Sequence, residues 1–248
     1  MSPVPEADLL RPDWPLPPGV HAASTTRVGG VSAGAFHGFN LGDHVGDDAS
    51  AVAANRAALT KALVLSAPPA WLSQVHGVVV AGPDDPPGIA ADARYADRPG
   101  VVCAVLTADC LPVLLCSDDG RQIAAVHCGW RGLAAGIVGH AVARFAAAPG
   151  RLSAWLGPAI GPAAFEVGAQ VRDAFMQGDS GAAACFAAGD GDRWLADLFG
   201  LARRALATAG VQRVYGGGIC TVADPRRFYS YRRDGRTGRM ASLIWRNV

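Results

Sequence analysis

The 248-residue chain has no stretch of eighteen apolar residues free of charge or repeated turn residues, so nothing in it reads as a membrane-spanning helix. Its first twenty residues carry Glu6, Asp8, Asp13 and six prolines, which interrupt the apolar region a secretory signal needs. Formal net charge is only +1, too little to draw the whole molecule to nucleic acid or to a membrane surface. Cysteine is sparse: six residues, at positions 103, 110, 116, 128, 185 and 220, are too few and too loosely spaced for a disulfide scaffold. Cys103, Cys116 and Cys128 stand among valine, leucine and alanine, where a reduced thiol packs as a small hydrophobe, and a cytoplasmic location is expected. No internal repeat or heptad pattern occurs, which argues against solenoids and coiled coils.

What is present is apolar bulk, 50% of the residues, enough for a sizeable core in a single domain spanning 1–248. Dense valine, leucine and isoleucine at 101–107, 111–117 and 122–130 predicts mostly buried strands with helices on at least one side. Further strands are expected at 70–76, 78–81, 152–157 and 211–220 and in the terminal MASLIW. Asp48 can cap a helix over 49–63, and helices are expected over 133–147, 163–180 and 194–209. The proline- and aspartate-rich run 82–100 reads as a long surface connection. The alternation of strands and helices describes an α/β body.

The most informative local inference concerns a hairpin. If Ser117-Asp118-Asp119-Gly120 forms the tight turn, Cys110 lies directly across from His127, with Cβ atoms about 4.5–5.5 Å apart. A slip of one residue would put them on opposite faces. His76, in the motif QVHG, completes a Cys-His-His set. Singly, such residues are ordinarily packing or hydrogen-bonded groups; together they suit zinc, with copper a chemical competitor, and three ligands leave a fourth position open. Gln74 shares a strand face with His76, whereas Asp109 points away from Cys110 under strict alternation and is expected to orient a neighbour or serve the substrate.

Anion-binding signals lie nearby. HCGWRG, 127–132, combines glycines with the start of a helix and the planar fork of Arg131. Asn55 and Arg56 could face solvent or reach back over the glycine-rich segment before them. Residues 201–248 carry ten arginines, no lysine, and only Asp224 and Asp234 as acids. The aromatics and arginines of FYSYRRDGRTGR could contact nucleic acid, form a solvated basic face, or wall a pocket for a small anion. No nucleic-acid fold signature accompanies them, and neither a nucleic-acid nor a membrane partner nor an obligate protein partner is expected.

Nine stretches together carry a resemblance: TTRVGGVS (25–32), NLGDHVGDD (40–48), Asn55-Arg56, QVHG (74–77), TADCLPV (107–113), HCGWRG (127–132), IGPAAFEVG (160–168), GGGICT (216–221) and FYSYRRDGRTGR (228–239). In these the chain resembles the YfiH-type family, described as multicopper polyphenol oxidases or laccase-domain proteins and also as purine nucleoside phosphorylases. The resemblance implies an α/β/β/α layered sandwich related to cysteine-histidine toxin deamidases. It makes His76, Cys110 and His127 the metal set. It further implies phosphorolysis of adenosine, inosine, guanosine or methylthioadenosine, with adenosine deamination at the metal site, although the glutamate-containing motif of other zinc deaminases is absent. Catalytic roles are then expected for Cys110, His127, His76 and Asp109, and phosphate or substrate contacts for Arg56, Arg131, Asn40, Gln74, Arg232 and Arg233. Competing readings are a Cys-His hydrolase or amidase, a copper-dependent polyphenol oxidase, and a non-enzymatic nucleic-acid-binding module.

Overall fold

In the computed structural model, which describes residues 8–247, the apolar runs form the middle of two stacked sheets. The strands in chain order are β1 (Leu9–Leu10), β2 (Val20–Thr25), β3 (Val80–Ala81), β4 (Ala93–Ala96), β5 (Cys103–Thr107), β6 (Leu111–Ser117), β7 (Ile123–Cys128), β8 (Leu152–Leu156), β9 (Glu166–Val167), β10 (Phe186–Ala188), β11 (Trp194–Ala196), β12 (Arg213–Gly216) and β13 (Met240–Arg246). The α-helices are α1 (Ala49–Ala62), α2 (Trp130–Ala134), α3 (Ile137–Val142), α4 (Ala169–Gly178), α5 (Leu198–Thr208) and α6 (Tyr231–Asp234). One sheet has the order β1-β2-β13-β5, the other β12-β8-β6-β7-β4-β3, and β10-β11-β9 make a small third.

The two-residue period of each strand sorts its side chains into layers. Cys103 and Val105 of β5 point between the two large sheets, where they meet Leu114, Cys116, Ile123 and Ala125 of β6 and β7. Ala104 and Leu106 of β5 point the other way, onto Leu59 of α1. Across the second sheet, Val113, Leu115 and Val126 pack against Leu133, Ile137, Val138 and Leu201 on α2, α3 and α5. Each such aliphatic side chain, fully buried, contributes about 1.5–3 kcal/mol. The result is the α/β/β/α sandwich that the resemblance implied. Because β13 lies between β2 and β5, the arginine-rich segment just before it is held against the middle of the molecule.

Several local expectations are corrected. The helix predicted over 133–147 is two short helices, α2 and α3, separated at Gly136, whose φ of 91° no helix can continue through. The helices expected at 163–180 and 194–209 begin later, after the short strands β9 and β11. No strand runs over 70–76; Ser73 makes an isolated bridge to Ala90, and the loop turns at His76. The largest error is 82–100: its second half contains β4, inserted between β3 and β7, with Asp92 just before the strand and Arg94 within it both 0% exposed. Charged residues disguised a buried strand, since burial is tolerated when such groups are partnered. Arg94 donates to the carbonyls of Gly82, Asp85 and Pro86 at 2.8, 3.1 and 3.3 Å.

Candidate metal centre and substrate cavity

The hairpin register is shifted by two residues from the predicted one. The turn at Ser117–Gly120 forms, but the ladder closes between Ser117 and Gln122, so Pro112, not Cys110, lies opposite His127. A two-residue shift preserves which face each side chain takes, and Cys110 and His127 therefore remain on one side as diagonal neighbours. Gly129 occupies the place beside Cys110. A Cβ there would come within 2.5 Å of His76 Cδ2 and 3.2 Å of Cys110 Sγ, so the cluster needs a residue with no side chain at this point.

Asp92, which the sequence reading placed in a surface loop, organises the centre. Its carboxylate accepts from His127 Nδ1 at 2.8 Å and from the amides of His76, Gly77 and Val75 at 2.9, 2.6 and 3.3 Å. The same buried group thus fixes one imidazole by its ring and the other through its backbone, where His76 holds a positive φ of 61°. The available signal was an aspartate flanked by alanines next to alternating apolar residues, in a run otherwise dominated by turn residues.

Cys110 Sγ lies 3.8 Å from His76 Nε2, and the donor atoms of Cys110, His76 and His127 all fall within 4.8 Å of one another. The imidazoles meet edge to face, with centroids 4.8 Å apart. Two ligands sharing one tetrahedral zinc lie roughly 3.3–3.7 Å apart, so the set fits an ion after a small contraction. A carboxylate behind a ligating histidine, as Asp92 stands behind His127, is the usual support for such a ligand. Burial pushes the Cys110 thiol up, but the charge of His127 and hydrogen bonds from both histidines outweigh it and bring the pKa down to about 6. His127 moves oppositely: burial disfavours its charged form, yet Cys110 and Asp92 raise it to about 9. Without an ion, the pair is a thiolate beside an imidazolium.

The cluster forms the floor of a cavity of about 360 Å³, at the open end of the layer between the sheets. Trp130, Phe165 and Tyr231 supply aromatic walls, and Ile160 and Leu198 aliphatic ones. Of the sequence-predicted residues, the structure brings His76, Cys110, His127, Asp109, Gln74 and Arg232 to this cavity. Gln74 is locked to the backbone of Leu106 at both amide atoms, at 2.7 and 2.8 Å. Asp109, at φ 89°, accepts from Thr221 Oγ1, Ser230 Oγ and the Arg232 amide at 2.5, 2.9 and 2.7 Å, which ties the β5–β6 turn to the arginine-rich segment.

Asn40, Arg56, Arg131 and Arg233 do not line the cavity. Asn40 is fully buried and holds the amide of Arg239 at 2.8 Å. Asn55 reaches back to the glycine-rich segment, accepting from Val31 N at 3.0 Å and donating to the Asn40 carbonyl at 2.9 Å. Arg56 donates to the Leu41 carbonyl at 2.9 Å, pairs with Asp43 at 3.1 Å and stacks on Trp71. Arg131 is exposed and lies over the ring of Trp130, 4.5 Å from its centroid. Arg233 is bound to the carbonyls of Thr221, Val222 and Phe228 and to Asp234. His44 and Arg239 line the cavity and were missed, because only the fold brings two distant glycine-flanked segments together.

Residues 21–247 match the family model described as multi-copper polyphenol oxidoreductase laccase. A purine nucleoside phosphorylase, YfiH, of Shigella flexneri is 53% identical over 96% of this chain and 98% of its own length. The Escherichia coli YfiH of the same description is 52% identical over equal shares. Among solved structures, a Neisseria meningitidis protein of the DUF152 family is 47% identical, with a TM-score of 0.93 over 97% of this chain and 99% of that one. YlmD of Geobacillus stearothermophilus is 32% identical, with a TM-score of 0.87 over 97% of this chain and 96% of that one. On sequence and fold over nearly its whole length, the chain belongs to the YfiH-type, laccase-domain family.

Proposed function

We propose that the protein is a purine nucleoside phosphorylase, cleaving adenosine, inosine, guanosine or methylthioadenosine with inorganic phosphate, and that it deaminates adenosine at the same centre. The observation that carries this reading is near-full-length similarity at about half identity to relatives so named, in a match whose span contains every residue of the cavity wall. The cavity falls within the size range of small-molecule sites, and its flat aromatic walls suit a purine.

His76, Cys110 and His127 would hold zinc, or copper, and the bound ion would supply a Lewis acid that polarises oxygen and acidifies water. In phosphorolysis a phosphate oxygen forms a bond to the ribose anomeric carbon, and the electron pair of the broken glycosidic bond leaves with the purine. The protein's part is to align the two reactants and to compensate developing charge. Trp130, Phe165 and Tyr231 orient the base by packing on it. Asp109, its oxygens engaged by three donors, is a positioning residue for the segment carrying Arg232.

A second reading has its own observation: Cys110, His127 and Asp92 stand in series as nucleophile, base and orienting carboxylate, the arrangement of a cysteine hydrolase or amidase. One experiment separates the two. Phosphate-dependent release of ribose 1-phosphate is followed for all four nucleosides with metal content measured, beside Cys110→Ala. Product that needs phosphate and Cys110 supports the phosphorylase. No product from metal-loaded protein refutes it, and full activity of metal-free protein with electrophilic trapping of Cys110 supports the hydrolase. Oxygen uptake with copper in multiple stoichiometry would favour an oxidase instead.

A further inference from the structure

The arginine-rich segment holds, beside the cavity, a guanidinium that forms no salt bridge with any described residue. Arg239 lines both the substrate cavity and an adjoining recess of about 310 Å³; His44 and Tyr231 are shared in the same way. Arg236 and Thr237 extend the recess, and no acid lines it among the described residues. Arg239 Nη1 is spent on the carbonyls of Thr237 and Gly238, at 2.9 and 3.0 Å, while Nε and Nη2 donate to no described residue.

The acids of the adjoining segments are engaged elsewhere. Asp43 pairs with Arg56 at 3.1 Å and with His44 at 3.5 Å, Asp47 accepts from Asn40 at 2.8 Å, and Asp234 pairs with Arg233 at 2.6 Å. Burial pushes Arg239 below the ordinary arginine pKa, and the charges of Cys110 and Asp109 across the cavity offset this only in part. A second, independent observation lies next to it: Thr237 is 2% exposed, and its hydroxyl is buried with no hydrogen-bond partner. A buried hydroxyl with no partner and, beside it in one recess, a half-buried guanidinium with two nitrogens uncommitted to any described residue are the complement of an oxyanion.

We infer that this recess is a phosphate subsite, in which Arg239, Arg236, the Thr237 hydroxyl and His44 receive a tetrahedral oxyanion beside the nucleoside cavity. The identity of that oxyanion as the attacking phosphate rests on the phosphorylase reading. A phosphate ester carried by the substrate, as in a nucleoside 5′-monophosphate, presents the same chemistry. The assignment replaces Arg56, Arg131 and Arg233, whose guanidinium groups are held by Asp43, Trp130 and backbone carbonyls respectively.

The test is equilibrium binding of inorganic phosphate and, separately, of AMP, read by 31P NMR on protein of measured metal content. Arg239→Met should weaken binding at least about tenfold and Thr237→Val about threefold or more. Arg239→Lys should fall between Arg239→Met and wild type, since it keeps the charge but loses the fork. In turnover Arg239→Met should raise KM for phosphate by the binding factor with KM for nucleoside within about twofold. AMP bound more tightly than phosphate, with the same dependence on Arg239, supports the subsite and identifies the ester as its ligand. Wild-type binding in Arg239→Met and Thr237→Val, or loss confined to Cys110→Ala, overturns the subsite and puts phosphate at the metal centre. Arg239-dependent binding without phosphorolysis sinks the phosphorylase reading and leaves the subsite standing; unaltered phosphorolysis in both variants does the reverse.

Discussion

Replacing Asp92 with asparagine should damage stability and metal affinity together, because one carboxylate supports both histidines. It is 0% exposed and accepts four hydrogen bonds, from His127 Nδ1 and the amides of Val75, His76 and Gly77. Asparagine keeps the shape but turns one acceptor into an NH2 group facing N–H donors. Breaking a buried, hydrogen-bonded charge pair costs about 3–5 kcal/mol. For a chain of this size that is a fall in Tm of roughly 6–20 °C. The positive φ of His76, which costs about 1–2 kcal/mol, would lose the contacts that offset it, and the ring should leave the cluster. Zinc affinity should drop about 10–100-fold.

The acid limb supplies a sign. Burial favours the neutral form of Asp92, but the hydrogen bonds from His127 and Gly77 prevail and hold its pKa below the ordinary aspartate value. Its stabilisation is therefore complete above the unfolded pKa, about 4, and is lost as pH falls through the lower native value. The gap in stability between wild type and Asp92→Asn should narrow on acidification. Calorimetric unfolding from pH 3 to 7, with a competitive zinc titration, measures both effects. A variant within about 1 kcal/mol of wild type that binds zinc normally would refute the role given to Asp92.

Two further outcomes follow from the same centre. Gly129 has φ −65° and ψ 153°, which alanine adopts freely, so Gly129→Ala should act only through its Cβ pressing on His76 and Cys110; zinc affinity should fall at least about tenfold with little change in Tm, and normal zinc binding would mean His76 is not needed where it stands. In chelator-treated protein, alkylation by iodoacetamide should rise through about pH 6 at Cys110, while burial pushes Cys103 and Cys116 up to about 12 and keeps them inert. Peptide mass spectrometry should follow the Cys110 adduct apart from those on the half-exposed Cys185 and Cys220, and zinc should block the Cys110 adduct alone; a Cys110 midpoint near the ordinary thiol value of about 8.5 would remove the thiolate–imidazolium pair.

The chemistry of the centre was legible in the sequence because residue type limits it: a thiol and two imidazoles suit one soft ion wherever they meet. Strand periodicity also sufficed to put Cys110 and His127 on one face, and that conclusion survived a register error of two residues because the side-chain period is two. The start of α1 was readable for an equally local reason, the Asp48 carboxylate accepting the amide of Ala51 at 2.9 Å. Asp92 and Arg94 escaped notice because local composition cannot distinguish a charged residue on a surface loop from one whose partners come from elsewhere in the chain.

By itself, then, the sequence determined the strand-rich α/β body, the cap of α1 and the ligand types, all of which depend on neighbours within a few residues. Only the tertiary structure decided which arginines face the cavity. Arg56, Arg131, Arg233 and Arg239 are alike as letters, yet Asp43, the Trp130 ring and a set of carbonyls hold the first three, while β13, pairing between β2 and β5, brings Arg239 to the cavity wall. A guanidinium's role depends on which acceptors reach it, and those acceptors come from segments that only the folded sheets bring together.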